Sequence, residues 1–379
     1  MKQRNTKGGG SVRQRPDGTW EARCTVDGKR RSFYGKRQSE VLKAMRAAQK
    51  AGDDGNYFEP KKVPLSQWLD IWLDEYIKPS SKPLTYTTYQ SRIETHIKPA
   101  LGRIKLTALN ATQIQAFYND LLKNKKLQPK TIKNVHGILH KALQQALKLR
   151  YIGFNPADAC ELPRVEKADV KPLTESEISA FLDVIKKDSL KDLFTVALFT
   201  GMREGEICGL PWDAIDFKNG TITVRQQLCR EKIKGGKHYI ATTKNDKSRT
   251  LTPAPSVIDI LRRVKREQMG HHLKMGEAWM NEYNLVFTDE AGRFIVPQTA
   301  LKRFKAAAAK IGRPDARFHD LRHTYAVTAL QEGDDVKTVQ QNLGHATASF
   351  TLDVYGHVSE KMKSESAARM QSFIEKIKA

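Results

Sequence analysis

Three short stretches in the second half of the chain carry residues whose types and spacing suit chemistry on an anion. In Thr200-Gly-Met-Arg203-Glu-Gly-Glu206 an apolar run must end near Gly201, so Arg203 is offered at the mouth of a buried element. Glu206 lies three residues on, within one helical turn, and can orient that guanidinium; an ordinary surface salt bridge is the plainer meaning of the pair. In His319-Asp-Leu-Arg322-His323 helical spacing puts His319, Arg322 and His323 on one face and Leu321, Tyr325 and Thr328 on the other. The two histidines have the i, i+4 spacing of a zinc pair. The glutamate of an H-E-x-x-H helix is missing, however, and Arg322 between them repels a cation, so no metal is expected. In Leu343-Gly-His345 a left-handed Gly344 can end a helix, and Tyr355 follows His345 by ten residues.

Taken singly, each of these residues has a bland role: a histidine hydrogen-bonds, a tyrosine packs. Together, two arginines that cannot lose their charge, two histidines, a lysine candidate and a phenol suit a phosphate diester. A tyrosine hydroxyl, with a pKa of about 10, is a poor nucleophile unless its phenolate is stabilised. A pentacoordinate phosphorus gathers negative charge that paired guanidinium groups offset, and losing either should cost on the order of a hundredfold in rate. The leaving oxygen then needs a proton. No Gly-x-x-x-x-Gly-Lys-Ser/Thr loop and no acidic cluster spaced for two magnesium ions is present in the sequence.

Several elements must position these groups. Thr174-Glu-Ser-Glu177 is a capping box that starts a helix, and residues 193–200 form a buried one. Asn219-Gly220 turns a hairpin between 215–217 and 221–224, and a polar insertion at 231–238 precedes a strand at 239–243. Helices are predicted at 256–269, 299–311, 318–332, 336–343 and 359–377. The last carries Met370, Phe373, Ile374 and Ile377 on one stripe, which can dock on its own domain or on a neighbouring protomer.

Upstream, residues 64–153 read as a helical bundle, with stripes Leu65, Trp68, Leu69, Trp72, Leu73 and Ile114, Phe117, Tyr118, Leu121, Leu122. Pro83, Pro99 and Pro129 stand at helix starts or connections. Lys123, Lys125, Lys126, Lys130, Lys133 and Lys141 leave the bundle basic, as DNA contacts or equally as solubilising charge.

Residues 1–50 hold fourteen Lys/Arg against four Asp/Glu. Strands at 11–15, 20–26 and 31–34, turned at Asp17-Gly18 and Asp27-Gly28, precede a helix at 38–49 with Val41, Ala44, Met45 and Ala48 on one face. Such a ribbon would show Arg13, Arg15, Arg23 and Arg31, with Trp20, Phe33 and Tyr34 interspersed, to a DNA groove; a solvated basic sheet is the alternative. Linker composition at 51–63 and 155–171 separates three domains, 1–55, 62–160 and 170–379. The expected fold is multidomain and mainly α with small β-sheets: a three-stranded sheet with a helix, a helical domain, and a mixed α+β domain.

Over all 379 residues, 65 Lys+Arg against 42 Asp+Glu give +23, an excess that a polyanion such as nucleic acid neutralises. No apolar run approaches a membrane span, and the polar, basic start is no signal peptide, so a cytoplasmic protein without a membrane partner is expected. Cys24, Cys160, Cys208 and Cys229 form no C-x-x-C pair and suggest neither a disulfide framework nor a zinc knuckle.

With these boxes in this order, the chain resembles the tyrosine recombinase family, specifically integrases of conjugative transposons and phages. The resemblance spans the catalytic half, residues 64–160 look like the family's core-binding domain, and residues 10–50 resemble its arm-binding domain. It implies Tyr355 as nucleophile, Arg203 and Arg322 as phosphate clamp, and His319 and His345 as its hydrogen-bonding partners. The general acid is then a hairpin lysine in Thr242-Thr-Lys244-Asn-Asp-Lys247-Ser-Arg-Thr-Leu251, with Lys244 the better match and Lys247 its competitor. Also implied are a 3'-phosphotyrosyl intermediate, no cofactor, ATP or metal, core and arm sites on double-stranded DNA, and a homotetramer on that DNA. An excisionase or DNA-bending accessory protein is a further candidate partner. Two rivals share the fold: a type IB topoisomerase, which has little need of the basic amino-terminal module, and a silent DNA-binding regulator, which has little need of a fully competent set.

Overall fold

A computed structural model describes residues 10–26, 28–53, 63–166, 171–231, 236–243, 247–344, 368 and 370–377. The chain forms two compact units, Met1–Glu166 and Lys167–Ala379.

The first unit opens with β1 (Ser11–Gln14), β2 (Trp20–Val26) and β3 (Lys29–Gly35), an antiparallel sheet in that order. Gly18 and Gly28 take φ of 81° and 72° at the two turns, the left-handed backbone that Asp-Gly pairs supply. Alternation sends Val12, Ala22, Cys24, Val26 and Phe33 against Val41, Met45 and Ala48 of α1 (Gln38–Asp53). Ala44, expected on that face, is exposed, and Leu42 packs instead. β3 also starts earlier than expected, at Lys29, and pairs Arg31 with Cys24. Arg31 therefore stands on the helix side of the sheet, as does Trp20, which packs on the same core. α1 runs to Asp53, into the stretch expected to be linker.

Next come α2 (Leu65–Trp72), α3 (Pro83–Arg92), α4 (Lys98–Leu101), α5 (Ala111–Lys123) and α6 (Pro129–Lys148). Pro83 and Pro129 occupy first-turn positions, where a missing N–H costs nothing. α2 and α3 each continue into a π turn, at 73–77 and 93–97, whose Leu73, Ile77, Ile93 and Ile97 are buried. The predicted stripes close the core, except that Leu122 is exposed. Trp68 Nε1 donates to the Ala142 carbonyl at 2.9 Å, satisfying the indole inside the bundle. Residues 155–162, expected as linker, pack on that core: Ala157 is buried, and Cys160 and Leu162 lie against it.

The second unit holds α7 (Glu175–Ile185), α8 (Lys191–Thr200), α9 (Glu204–Cys208), β4 (Ile215–Asp216), β5 (Thr221–Val224), β6 (Gln226–Arg230), β7 (His238–Thr242), β8 (Arg249–Leu251), α10 (Pro255–Met275), α11 (Pro297–Lys310), α12 (Phe318–Gln331) and α13 (Val336–Leu343). The Thr174–Glu177 capping box starts α7 as expected. Phe194 of α8 sits among Phe181, Phe304 and Phe318, with ring centroids 6.1–6.3 Å away. β4, β5 and β8 form one antiparallel sheet in that order, and β6 and β7 a separate hairpin. β7 and β8, expected to flank one hairpin, thus belong to two different sheets. α10 extends past its expected end at residue 269 to Met275. Residues 370–377 are helical with Met370, Phe373, Ile374 and Ile377 exposed; the beginning of the expected tail helix lies outside the described residues. Among the described residues no helix is long and apolar enough to cross a membrane.

Candidate active site

The site is built from the ends of helices. α8, buried along most of its length, stops at Gly201, whose φ is 62°. A Cβ there would lie 2.6 Å from Tyr325 Cδ1 and 2.8 Å from Leu343 Cδ2, so both the backbone and the packing demand glycine. The chain turns at once into α9, with Arg203 as its N-cap in extended conformation. Glu206, three residues on and 1% exposed, accepts from the Arg203 amide at 2.9 Å and from Arg203 NH1 at 2.6 Å. These two bonds, both accepted by Glu206, hold the arginine's backbone and side chain in one orientation.

Glu206 has a second cation. Arg249, the first residue of β8, donates from NH1 at 3.0 Å and NH2 at 2.6 Å to the two Glu206 oxygens, and from Nε to the Asn342 carbonyl at 2.8 Å. Burial alone would raise the Glu206 carboxyl. The Arg249 hydrogen bonds and charge, then the Arg203 charge and amide, outweigh it and hold the group at about 2. Sequence reasoning missed Arg249. The signal available was an arginine between a polar loop and Leu251, opening a strand whose apolar neighbours point inward.

α12 contributes the second arginine of the expected clamp. Arg322 is 1% exposed, and its NH1 donates to the Gly201 carbonyl at 2.8 Å while NH2 donates to the Leu343 carbonyl. Both of these acceptors are neutral carbonyls. The expected division of α12 into a packing face and a working face does not hold: Phe318, Asp320, Leu321, Arg322, Thr324, Ala326, Val327 and Leu330 are all buried. His319 stands at the exposed start of the helix with its ring edge-on to His323, centroids 4.8 Å apart. Desolvation, then the charges of His323, Arg322, Arg203 and Arg317, lower its pKa to about 4, so the ring is neutral at pH 7. Asp320 turns away to cap α12 and pairs with Arg317 at 2.9 Å.

Arg203, Glu206, His319 and Arg322 thus gather around the junction of α8, α9, α12 and α13, where Arg203 and Arg249 share the Glu206 carboxylate and Arg322 holds the Gly201 carbonyl. The α13 carbonyls of Asn342 and Leu343 are held by Arg249 and Arg322, and the chain leaves this knot at Gly344, φ 65°. Lys244, His345 and Tyr355 lie outside the described residues. Lys247 is exposed, and its carbonyl accepts from Thr243 Oγ1 at 2.8 Å, bringing together the ends of the stretch that contains Lys244.

The proposed DNA-contact residues fall in the first unit. Arg13 and Arg23 pair with the buried Glu21 at 2.7 Å each, and the Tyr34 hydroxyl donates to it at 3.1 Å. Arg15 lies 5.4 Å over the Tyr34 ring. Arg13, Arg15 and Arg23 therefore share the outer face of the sheet, from which Arg31 and Trp20 are turned away. Lys126, Lys130 and Lys133 are exposed on the α5–α6 connection and the first turns of α6.

Residues 171–362 match the model of the phage integrase family, and residues 65–122 match that of the phage integrase N-terminal SAM-like domain. A tyrosine recombinase XerC-like protein of Caldanaerobacter subterraneus subsp. tengcongensis is 31% identical over 352 residues, 88% of this chain and 89% of that one. The ICEBs1 integrase of Bacillus subtilis is 25% identical over 298 residues, 78% of this chain and 79% of its own. Among solved structures, the Tn1549 transposon integrase in complex with circular intermediate DNA superimposes with TM-score 0.68 at 22% identity, covering 80% of this chain and 99% of that one. A lambda integrase tetramer bound to a Holliday junction gives 0.59 at 19% identity, covering 94% and 99%, and these two likenesses speak to the fold. With a family model matching residues 171–362 and a relative 31% identical over 88% of the chain, the chain belongs to the phage integrase family of tyrosine recombinases.

Proposed function

We propose that the chain is the integrase of a mobile element, cutting and rejoining DNA at specific sites through a covalent 3'-phosphotyrosyl bond to Tyr355. The observation that carries this reading is the buried Arg322 laced to Gly201, next to Arg203 with its Glu206 brace. Fixed donors of one charge in a low-dielectric pocket stabilise the extra charge of a pentacoordinate phosphorus without reorganising. In the proposed step the Tyr355 hydroxyl loses its proton to solvent water and its oxygen bonds to phosphorus as the bond from phosphorus to the 5' oxygen breaks. Arg203 and Arg322 clamp the non-bridging oxygens, and His319 and His345 hydrogen-bond to them. Lys244 protonates the leaving oxygen, with Lys247 as the competing donor. A phosphodiester is exchanged for a phosphodiester, so the bond energy is kept for attack by a second 5' hydroxyl.

We assign residues 1–55 to arm-site binding, 62–160 to core-site binding and 170–379 to catalysis. Separate hydrophobic clusters around α1, in the α2–α6 bundle and in the second unit support this division. The working assembly is a tetramer on two duplexes, as in the lambda integrase complex with a Holliday junction. An excisionase or DNA-bending protein would bring arm and core sites together.

The test is a pool of end-labelled nicked duplexes with a randomised core. Wild-type protein should retain a sequence-enriched fraction as a denaturation-resistant adduct, and Tyr355→Phe should bind duplex but retain none. An adduct with the Phe protein refutes the nucleophile.

A further inference from the structure

Glu206 is shared, and the second sharer does more than neutralise it. A carboxylate paired with Arg203 alone would cancel the charge that the phosphate needs and would leave its remaining lone pairs unmet inside the domain. Arg249 meets them, with one N–H to each oxygen. The same guanidinium also reaches the Asn342 carbonyl in the last turn of α13. Its aliphatic stem fills the space beside Gly344, where an added Cβ would lie 2.9 Å from Arg249 Cδ. One side chain therefore touches the brace of the first clamp arginine and the helix end from which the chain runs on to His345.

We propose that Arg249 is a positioning residue for strand cleavage: through Glu206 it sets the direction of Arg203, and through Asn342 it fixes the α13 end that leads to His345. This rests on the recombinase reading above and adds to it a residue that need not touch the DNA. A planar fork is required. Lysine keeps the charge but cannot span two carboxylate oxygens and a carbonyl in one plane.

The experiment uses full-length protein and the nicked duplex that wild type selects from the randomised pool. Single-turnover adduct formation at saturating DNA, duplex affinity and the thermal midpoint are measured for Arg249→Ala and Arg249→Lys. The expected result for both is a loss of rate on the order of a hundredfold with duplex affinity changed by no more than about threefold. Added guanidinium ion should restore part of the Ala variant's rate where methylammonium does not. The acid limb of the Ala variant's pH–rate profile should move upward, and Glu206→Gln in the same background should remove that limb. Should Arg249→Ala fail to fold, Arg249→Lys decides the matter by the same rate and affinity measurements. Wild-type rates in the folded variants, or full recovery by lysine, overturn the proposal. Absence of any wild-type adduct overturns the recombinase reading instead.

Discussion

Arg322 and Gly201 are joined by a 2.8 Å hydrogen bond that ties a fully buried guanidinium to the left-handed residue ending α8, two positions before Arg203. The other end of the same guanidinium holds the Leu343 carbonyl at the close of α13. The ends of two helices, α8 and α13, therefore meet on one side chain of a third, α12.

Removing that side chain should damage both fold and chemistry. Arg322→Met leaves two buried carbonyls unmet, each costing about 1–3 kcal/mol, so urea unfolding should show a loss of at least about 2 kcal/mol. The single-turnover cleavage rate should fall on the order of a hundredfold or more beyond any loss explained by unfolding. Arg322→Lys should recover part of the stability and little of the rate.

Gly201→Ala should destabilise by about 2 kcal/mol or more, because a positive φ and contact with Tyr325 and Leu343 act together. Gly220→Ala is the control. Its φ of 64° is similar, but the nearest atom, Ile258 Cγ1, lies 4.0 Å from the new Cβ, so about 1 kcal/mol is expected from the backbone alone. Equal losses in the two variants would show that the Tyr325 contact yields without cost.

Acid should weaken the second unit through Glu206. Its folded pKa of about 2 lies below the ordinary 4.5, so its contribution is fully present above about pH 4.5 and is lost as pH falls toward 2. The shift corresponds to about 3 kcal/mol, and Glu206→Gln should flatten the stability curve across that window. A slope unchanged in the Gln variant would assign the acid sensitivity to other groups.

His319 should take up a proton when DNA binds in mildly acid solution. Desolvation and surrounding cations lower its free-protein pKa from 6.5 to about 4, so protonation costs stability as pH falls through that interval. A phosphate placed among the same cations offsets their repulsion and should raise the value. Histidine NMR titrations with and without the selected duplex measure the change, and identical curves would place the phosphate elsewhere.

Deleting residues 1–55 should spare cleavage of the selected core duplex and weaken binding to separate arm sites. The dependence of arm-site affinity on salt should also become shallower, since phosphate contacts release counterions. Arm-site affinity unchanged at fixed salt would return the arginines of the outer sheet face to a solubilising role.

Much of this was legible because the informative residues also obey local rules. Gly201 and Gly344 end helices, Thr174 and Glu177 cap one, and the apolar periods of α2, α5 and α13 mark their buried sides. What escaped was set by distance in space. Arg249 is ordinary in its own strand and gains its role only where β8 meets α9 and α13. Arg31 faces the helix because it pairs with the core residue Cys24, and that register depends on a partner strand rather than on the segment alone. Residues 155–162 look like linker because Pro156 and Pro163 break periodicity, yet an irregular segment can pack when Asn155 supplies its own hydrogen bonds, to Gln144 and the Ala157 amide. The π turns after α2 and α3 are close enough in period to an α-helix that their apolar spacing hides them.

The keystone position of Arg322 also bears on how such a gene decays. Were the clamp residues needed for chemistry alone, an integrase released from selection for strand exchange would drift into an inert binder by losing them. Here the proposed clamp residue is masonry as well as tool: a lineage that discards Arg322 loosens the joints of three helices at once. Decay by that route should leave an unstable polypeptide open to proteolysis, and a silent descendant should more readily arise by loss of residues outside the knot.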